Sequence, residues 1–351
     1  MFYVWLGVAL FMAGKSNDSY EYLSKGLEFG ENAGHPKVIG YACTWLTWAC
    51  AELGLFAEGL DFGERAQKIA ESFPSDQYLF FKSLGGLCFI NFFKGDAKTI
   101  FEGAKRLLEY GERTANNRSK VFGHWMEGFG HLAAGDMKSS QKNNEKAIEV
   151  ALDPAYAQFP KSTLGNAYLV DGQLQQAENV LQSSLEFCEK HGMGLLSVVC
   201  QLFLAPVLIA KGNMKQGAEL LEQAQETFIS NQRRMWYALS EYFLGEVNSQ
   251  IATGPKPSLS IMAQNFSFLV KNFPFAGKKA EEHLNKAIEL LQEIGAKGFL
   301  GRAYLSLGLL YKANKRSDQA RQCILEAIKI FQECEAEVYL KQANEALDSI
   351  V

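Results

Sequence analysis

The chain has 351 residues, of which 48% are apolar and 21% charged, with a formal net charge of −4. That composition supplies ample material for a core. With no stretch of five or more consecutive basic residues, the electrostatic footprint of a nucleic-acid binder is missing. The seven Cys (43, 50, 88, 188, 200, 323 and 334) are odd in number, irregularly spaced and without a CxxC. They read as buried thiols of a cytoplasmic protein, and no disulfide or metal framework is expected.

Residues 1–13 (MFYVWLGVALFMA) are apolar but lack a basic leading region and are too short to span a bilayer as a helix. They read as the first helix of a repeat, and no other segment suggests a membrane span. The repeat shows in a series of turn glycines, Gly14, Gly54, Gly95, Gly135, Gly172 and Gly212, spaced by 40, 41, 40, 37 and 40 residues. A period of this size means a solenoid in which each unit packs on its neighbours. First helices are predicted near 2–13, 38–53, 77–94, 119–134, 156–171, 195–211, 234–252 and 298–313. Pro36, Pro74 and Pro154 fall at joints between units, where a helix must stop.

Within the units, a small residue on the first helix precedes a neighbour-facing residue by three: Gly128/His131, Gly165/Tyr168 and Gly308/Tyr311. Second helices carry small or apolar residues at relative positions 0, 4 and 7, as in Ala177/Leu181/Ser184, Gly217/Leu221/Ala224 and Ala320/Ile324/Ala327. This spacing puts them on one face, where small residues permit close helix approach. The pattern resembles the tetratricopeptide repeat, strongly in STLGNAYLVDGQLQQAENVLQSSL and GRAYLSLGLLYKANKRSDQARQCILEAI, and more loosely where Thr47 and Cys88 hold the small-residue place. The resemblance implies an all-α, right-handed superhelical solenoid of about eight helix pairs.

The seventh unit breaks the rhythm. Its small residue Gly245 and its second-helix Ala280 lie 35 residues apart, where other units show 12. The surplus, 253–278, opens with Pro255 and Pro257 and then turns strongly apolar, with Phe266, Phe268, Phe273 and Phe275 among its residues. Such a segment should form a short helix and dock, either on its own solenoid or on another domain. The final stretch, 336–351, reads as a polar-faced capping helix. The first helix has no such cap, which leads to the expectation that the chain is the C-terminal piece of something larger.

Motifs for chemistry are weak. Gly14-Lys15-Ser16 lacks the upstream glycine and strand of a phosphate loop, and Gly128-Phe129-Gly130 lies inside a helix. His124, Glu127 and His131 share a helix face but have no evident fourth ligand. His35, His191 and His283 stand alone, on surfaces or joints. No G-x-S-x-G and no Cys beside a plausible His is present. No enzyme activity, cofactor or metal is therefore expected.

First helices of stacked pairs line the concave groove, and Trp48, Phe89, Phe92, Trp125 and Phe129 project toward it in this register. They are candidate anchors for a peptide or protein partner, or else packing between adjacent first helices. The Lys and Asn places of the chaperone-tail carboxylate clamp are largely absent, with Asn166 an isolated match. From about Pro255 to Leu347, runs such as FLVKNFPFAGKKAEEHLNKAIELLQEIGAKG and FQECEAEVYLKQANEAL resemble the C-terminal end of bacterial signalling proteins. In these, a class III adenylate/guanylate cyclase domain precedes an AAA-like NTPase and a long tetratricopeptide solenoid. That resemblance implies a regulatory or docking arm acting on attached cyclase or NTPase domains. The alternative is a helical-repeat effector domain that senses a small molecule, which a Trp- and Tyr-rich inner pocket would favour.

Overall fold

The structure, a computed structural model, describes residues 1–254 and 259–350. Helices follow one another with short turns, and among the described residues there is no strand. The first helices are α1 (Phe2–Met12), α3 (Pro36–Leu53), α5 (Gln77–Lys94), α7 (Asn117–Ala134), α9 (Pro154–Val170), α11 (Gly194–Ala210), α13 (Arg234–Thr253) and α17 (Lys297–Ala313). Each lies within two residues of the bounds read from the periodicity. Their partners are α2 (Ser16–Asn32), α4 (Phe56–Glu71), α6 (Ala97–Thr114), α8 (Met137–Val150), α10 (Leu174–Lys190), α12 (Met214–Ser230), α16 (Ala276–Ile294) and α18 (Ser317–Glu333). The last helix, α19 (Glu337–Asp348), packs on α18 and α17.

Local chemistry explains where helices begin and end. The carboxylates of Asp76, Asp96 and Asp136 and the amide oxygen of Asn116 accept from the backbone N–H three residues on, capping α5, α6, α8 and α7. Pro36 and Pro154 occupy the first turn of α3 and α9, where a missing N–H costs nothing. Within pairs, the small residues do what the spacing predicts. A Cβ on Gly7, Gly245 or Gly308 would come within 2.6 Å of the Cγ atoms of Leu23, Leu284 and Ile324. Where Cys88 replaces glycine on α5, the missing side chain moves to the partner helix at Gly103.

The tertiary structure adds a level that the repeat does not announce. The solenoid winds back on itself, so that each early unit meets the unit five further along. Gly14 abuts the Gly194–Leu195 backbone, Gly54 meets Ile294, Gly95 meets Gly298, and Gly135 meets Val338 and Tyr339. Side chains continue the seam, with Phe93 edge-on to Trp236 at 5.8 Å and Phe92 edge-on to Phe299 at 5.6 Å. The concave side is thus an enclosed lumen between two stacked turns, and the broad open groove of a shallow solenoid is closed.

The long segment in the seventh unit forms α14 (Leu259–Gln264), α15 (Phe266–Asn272) and a single 3₁₀ turn at Phe273–Phe275. Pro255 and Pro257 lie outside the described residues. Asn265, between the two helices, anchors the segment on the sixth unit: its Nδ2 donates to the Gly212 carbonyl at 2.6 Å, and its Oδ1 accepts from the Met214 N–H at 3.2 Å. Ile261, Phe268 and Leu269 face the solenoid core. Phe266, Phe273 and Phe275 are 69%, 58% and 58% exposed. No helix of the described residues is long and apolar enough to cross a membrane.

Candidate functional site

Three first helices, α3, α5 and α7, bring Trp48, Phe89, Phe92, Trp125 and Phe129 together in the lumen. Trp48 stacks on Phe89 at 5.1 Å and parallel to Trp125 at 6.3 Å, and Phe92 meets Phe129 at 4.3 Å. All five line one cavity of about 40 Å³, with Phe11, Glu52, Phe203 and Phe299 among its other walls. None is more than 6% exposed. A space of that size holds a water or two and excludes a peptide. The indole N–H groups are committed, Trp48 to the Lys82 carbonyl at 2.9 Å and Trp125 to Thr163 Oγ1 at 2.8 Å. These rings are the buried floor of the lumen.

Charged groups that the periodicity conceals mark the lumen further. Glu52, near the end of α3, and Arg233, which caps α13, form an ion pair 181 residues apart in sequence. Arg233 Nε donates to Glu52 Oε2 at 2.6 Å, and the two side chains are 0% and 2% exposed. Arg233 Nη2 also donates to the Leu195 carbonyl at 3.3 Å, while its Nη1 has no partner. The guanidinium lies over Phe228 and Trp236. This pair fastens one turn of the superhelix to the next.

Lys82 is more unusual. It projects from α5 into the lumen and is 4% exposed. Its Nζ lies 4.6–6.0 Å from the ring centroids of Phe122, Trp45, Tyr156, Trp48, Phe159 and Phe81. No carboxylate of the described residues comes within ion-pair distance of it. Burial pushes its ammonium down to about 7, and the like charge of Arg118 adds to the effect. The six rings supply cation–π attraction in place of a counter-ion. In the other turn, Arg302 sits over Phe299, Tyr242 and Tyr339 at 5.1, 5.4 and 5.5 Å. It too lacks an ion pair among the described residues. The nearby Glu246 carboxyl is held above its ordinary range by burial, against the pull of Ser306 and Arg302.

A partly exposed rim stands at the Lys82 end. Trp5 packs on Tyr41 and Tyr78 at 5.7 and 6.3 Å, and Tyr41 stacks on Tyr78 at 5.7 Å. Arg118 lies 4.7 Å over the Tyr156 ring and pairs with Asp153 at 3.2 Å. Sequence reasoning found the aromatic floor and missed this cage. The available signal was a single charge, Lys82, in the otherwise uncharged run YLFFKSLGGLCFINFF.

The remaining motif residues have structural roles. His124 Nδ1 faces Glu127 at 3.4 Å and His131 Nδ1 faces Asp136 at 3.6 Å. Among the described residues no group of three His, Cys, Asp or Glu side chains converges as a metal site. His283 was expected to stand alone and does not: its Nδ1 lies 2.6 Å from Glu241, because α16 packs directly along α13. Gly14 ends α1 with a φ of +82°, which explains the Gly-Lys-Ser sequence as a turn. The seven Cys are unpaired.

This architecture is an all-α solenoid of the tetratricopeptide-like class. No protein-family model and no curated protein matches the chain. Among solved structures, a Rap protein complexed with competence and sporulation factor is similar with a TM-score of 0.59 and 14% identity, over 87% of this chain and 79% of that one. The apo form of the quorum sensor NprR from B. thuringiensis is similar with a TM-score of 0.52 and 14% identity, over 94% of this chain and 86% of that one. At this identity the likeness establishes the fold.

Proposed function

We propose that this chain is a regulatory binding module that receives a peptide or protein segment at its lumen and signals through the fit between its two turns. The observation that carries the reading is the pair of lumen cations, Lys82 and Arg302. Each is ringed by aromatics and neither has an ion-pair partner among the described residues. A protein maintains such costly groups more readily for recognition than for stability. Trp48, Phe89, Phe92, Trp125 and Phe129 form the floor that a ligand meets once the turns loosen. The similarity of fold to a Rap protein complexed with a signalling factor supports the same direction. Phe266, Phe273 and Phe275 offer a second docking surface. The text resemblance over 255–347 supports an output through attached cyclase or NTPase domains, in the cytoplasm.

The Trp- and Tyr-rich rim favours a second reading, a small-molecule sensor that uses the same mouth. The test is selection of displayed peptides on the folded chain, followed by titration of the selected peptides. Trp5→Ala/Tyr41→Ala should abolish binding and Phe266→Ser/Phe273→Ser/Phe275→Ser should preserve it. The opposite pattern moves recognition to the seventh-unit segment. Failure to select any specific binder refutes the peptide-receiving module.

A further inference from the structure

We propose that the mouth over Lys82 is a receptor for a carboxylate carried on an apolar body, held by Lys82, Tyr156 and Arg118. The inference rests on the lumen being the binding site and assigns its ligand chemistry. Its basis is an ammonium and a phenol that protein atoms leave unused, beside an arginine held by one exposed ion pair. Lys82 Nζ and Tyr156 Oη make no hydrogen bond to another side chain or to the backbone among the described residues, and the Nζ lies 5.2 Å from the Tyr156 ring centroid. Arg118 reaches the same ring from the solvent side, 4.7 Å above it. The donors from α5 and α9 therefore have no protein acceptor here among the described residues, and Arg118 from α7 stands beside them, held by its ion pair with Asp153. The rim carboxylates Asp153 and Asp76 are each already engaged, the first by Arg118 and the second by Lys37 and Tyr41.

The surroundings select among anions. Phe81, Phe122, Trp45 and Phe159 wall the cation with hydrocarbon, and Trp5, Tyr41 and Tyr78 extend that wall to the surface. Desolvating an anion costs steeply more as its charge rises, so a phosphate dianion is penalised in such a site far more than a monoanion. A carboxylate can pair with Lys82 while its apolar portion lies against the rings. Arg118 already shows the matching geometry by holding Asp153. A peptide C-terminus and a small aromatic or aliphatic acid share this chemistry. Asn166 lines the cavity of the aromatic floor and is not one of the three groups assigned to the carboxylate, so this is not the tail clamp whose Lys and Asn places are missing from the chain.

Isothermal titration of the full chain with N-acetyl-Phe-Phe as free acid, the same dipeptide as amide, and 3-phenylpropionate separates the cases. The free acid should bind at least about tenfold more tightly than the amide, the usual worth of a charge-assisted hydrogen bond. Lys82→Met should erase that preference, and Tyr156→Phe should reduce it about threefold. Because Tyr156→Phe removes one oxygen from a half-buried ring, it keeps the test valid if Lys82→Met folds poorly by circular dichroism. Phenylpropionate binding as tightly as the dipeptide identifies a small acid as the source, and tighter dipeptide binding identifies a peptide end. Both support the proposal. Equal affinity for acid and amide, no effect of either variant, or no binding of any probe at millimolar concentration overturns it. Peptides selected on the lumen that bind regardless of their C-terminal group would leave the broader function standing and sink this one.

Discussion

Replacing Glu52 or Arg233 tests whether the two superhelical turns are held as one body. The pair is effectively dry, with its Nε–Oε2 distance at 2.6 Å and both side chains at most 2% exposed. Glu52→Leu leaves a guanidinium in the lumen with only the Leu195 carbonyl to answer it, and Arg233→Met leaves a bare carboxylate. Losing one partner of such a pair costs about 3–5 kcal/mol, whereas replacing both by apolar groups of similar volume is close to neutral. The expected cycle is therefore two strongly destabilised single variants and a double variant within about 1 kcal/mol of the parent. The assay is urea unfolding followed by tryptophan fluorescence and far-ultraviolet circular dichroism. Amide hydrogen exchange at the end of α3 and the start of α13 should report the loss locally. A simple solenoid distributes stability between neighbouring repeats alone, so a contact spanning 181 residues should raise cooperativity above that expectation. Single variants that each cost under about 1 kcal/mol, or a double variant as unstable as their sum, would refute the claim that this pair fastens the turns.

Three further outcomes follow from the same geometry. Gly95 and Gly172 occupy equivalent turns with φ of +79° and +74°, but a Cβ on Gly95 would lie 2.8 Å from Cys334 Sγ while one on Gly172 meets nothing within 4 Å. Gly172→Ala should cost about 1 kcal/mol of backbone strain and Gly95→Ala about 1–3 kcal/mol more, read from thermal or urea unfolding. Lys82 titrates at about 7 in the fold, against 10.5 for an ordinary lysine, so between these values the unfolded chain binds more protons than the native one. Its burial penalty is therefore complete below about pH 7 and is relieved as pH rises toward 10.5, at up to about 1.4 kcal/mol per unit. The difference in stability between the parent and Lys82→Met should shrink with that slope; a flat difference would contradict the buried, unpaired placement among Arg118, Tyr78 and Tyr156. Asn265→Leu removes both anchors of the seventh-unit segment and should raise hydrogen exchange in α14 and α15 while moving the global unfolding midpoint little.

Much of this protein is written locally. The turn glycines, the joint prolines and the spacing of small residues determined the helix pairs. Each depends on residues a few turns apart in sequence, and their periodicity carries that information directly. The aromatic floor was legible for the same reason, since a first-helix position repeats from unit to unit. The closure of the solenoid was not. Gly14 against Gly194, Glu52 against Arg233 and Cys334 against the Lys94 carbonyl join surfaces up to 240 residues apart. Nothing in one unit specifies the cumulative rotation that brings the sixth unit onto the first. That rotation is a sum of small packing angles, set by how each helix pair nests on the next. It decides that Trp48 and Trp125 are buried rather than displayed, and that Lys82 sits inside a ring of aromatics. The sequence alone determined which residues would face inward; the tertiary structure decided how closely the inner face closes around them.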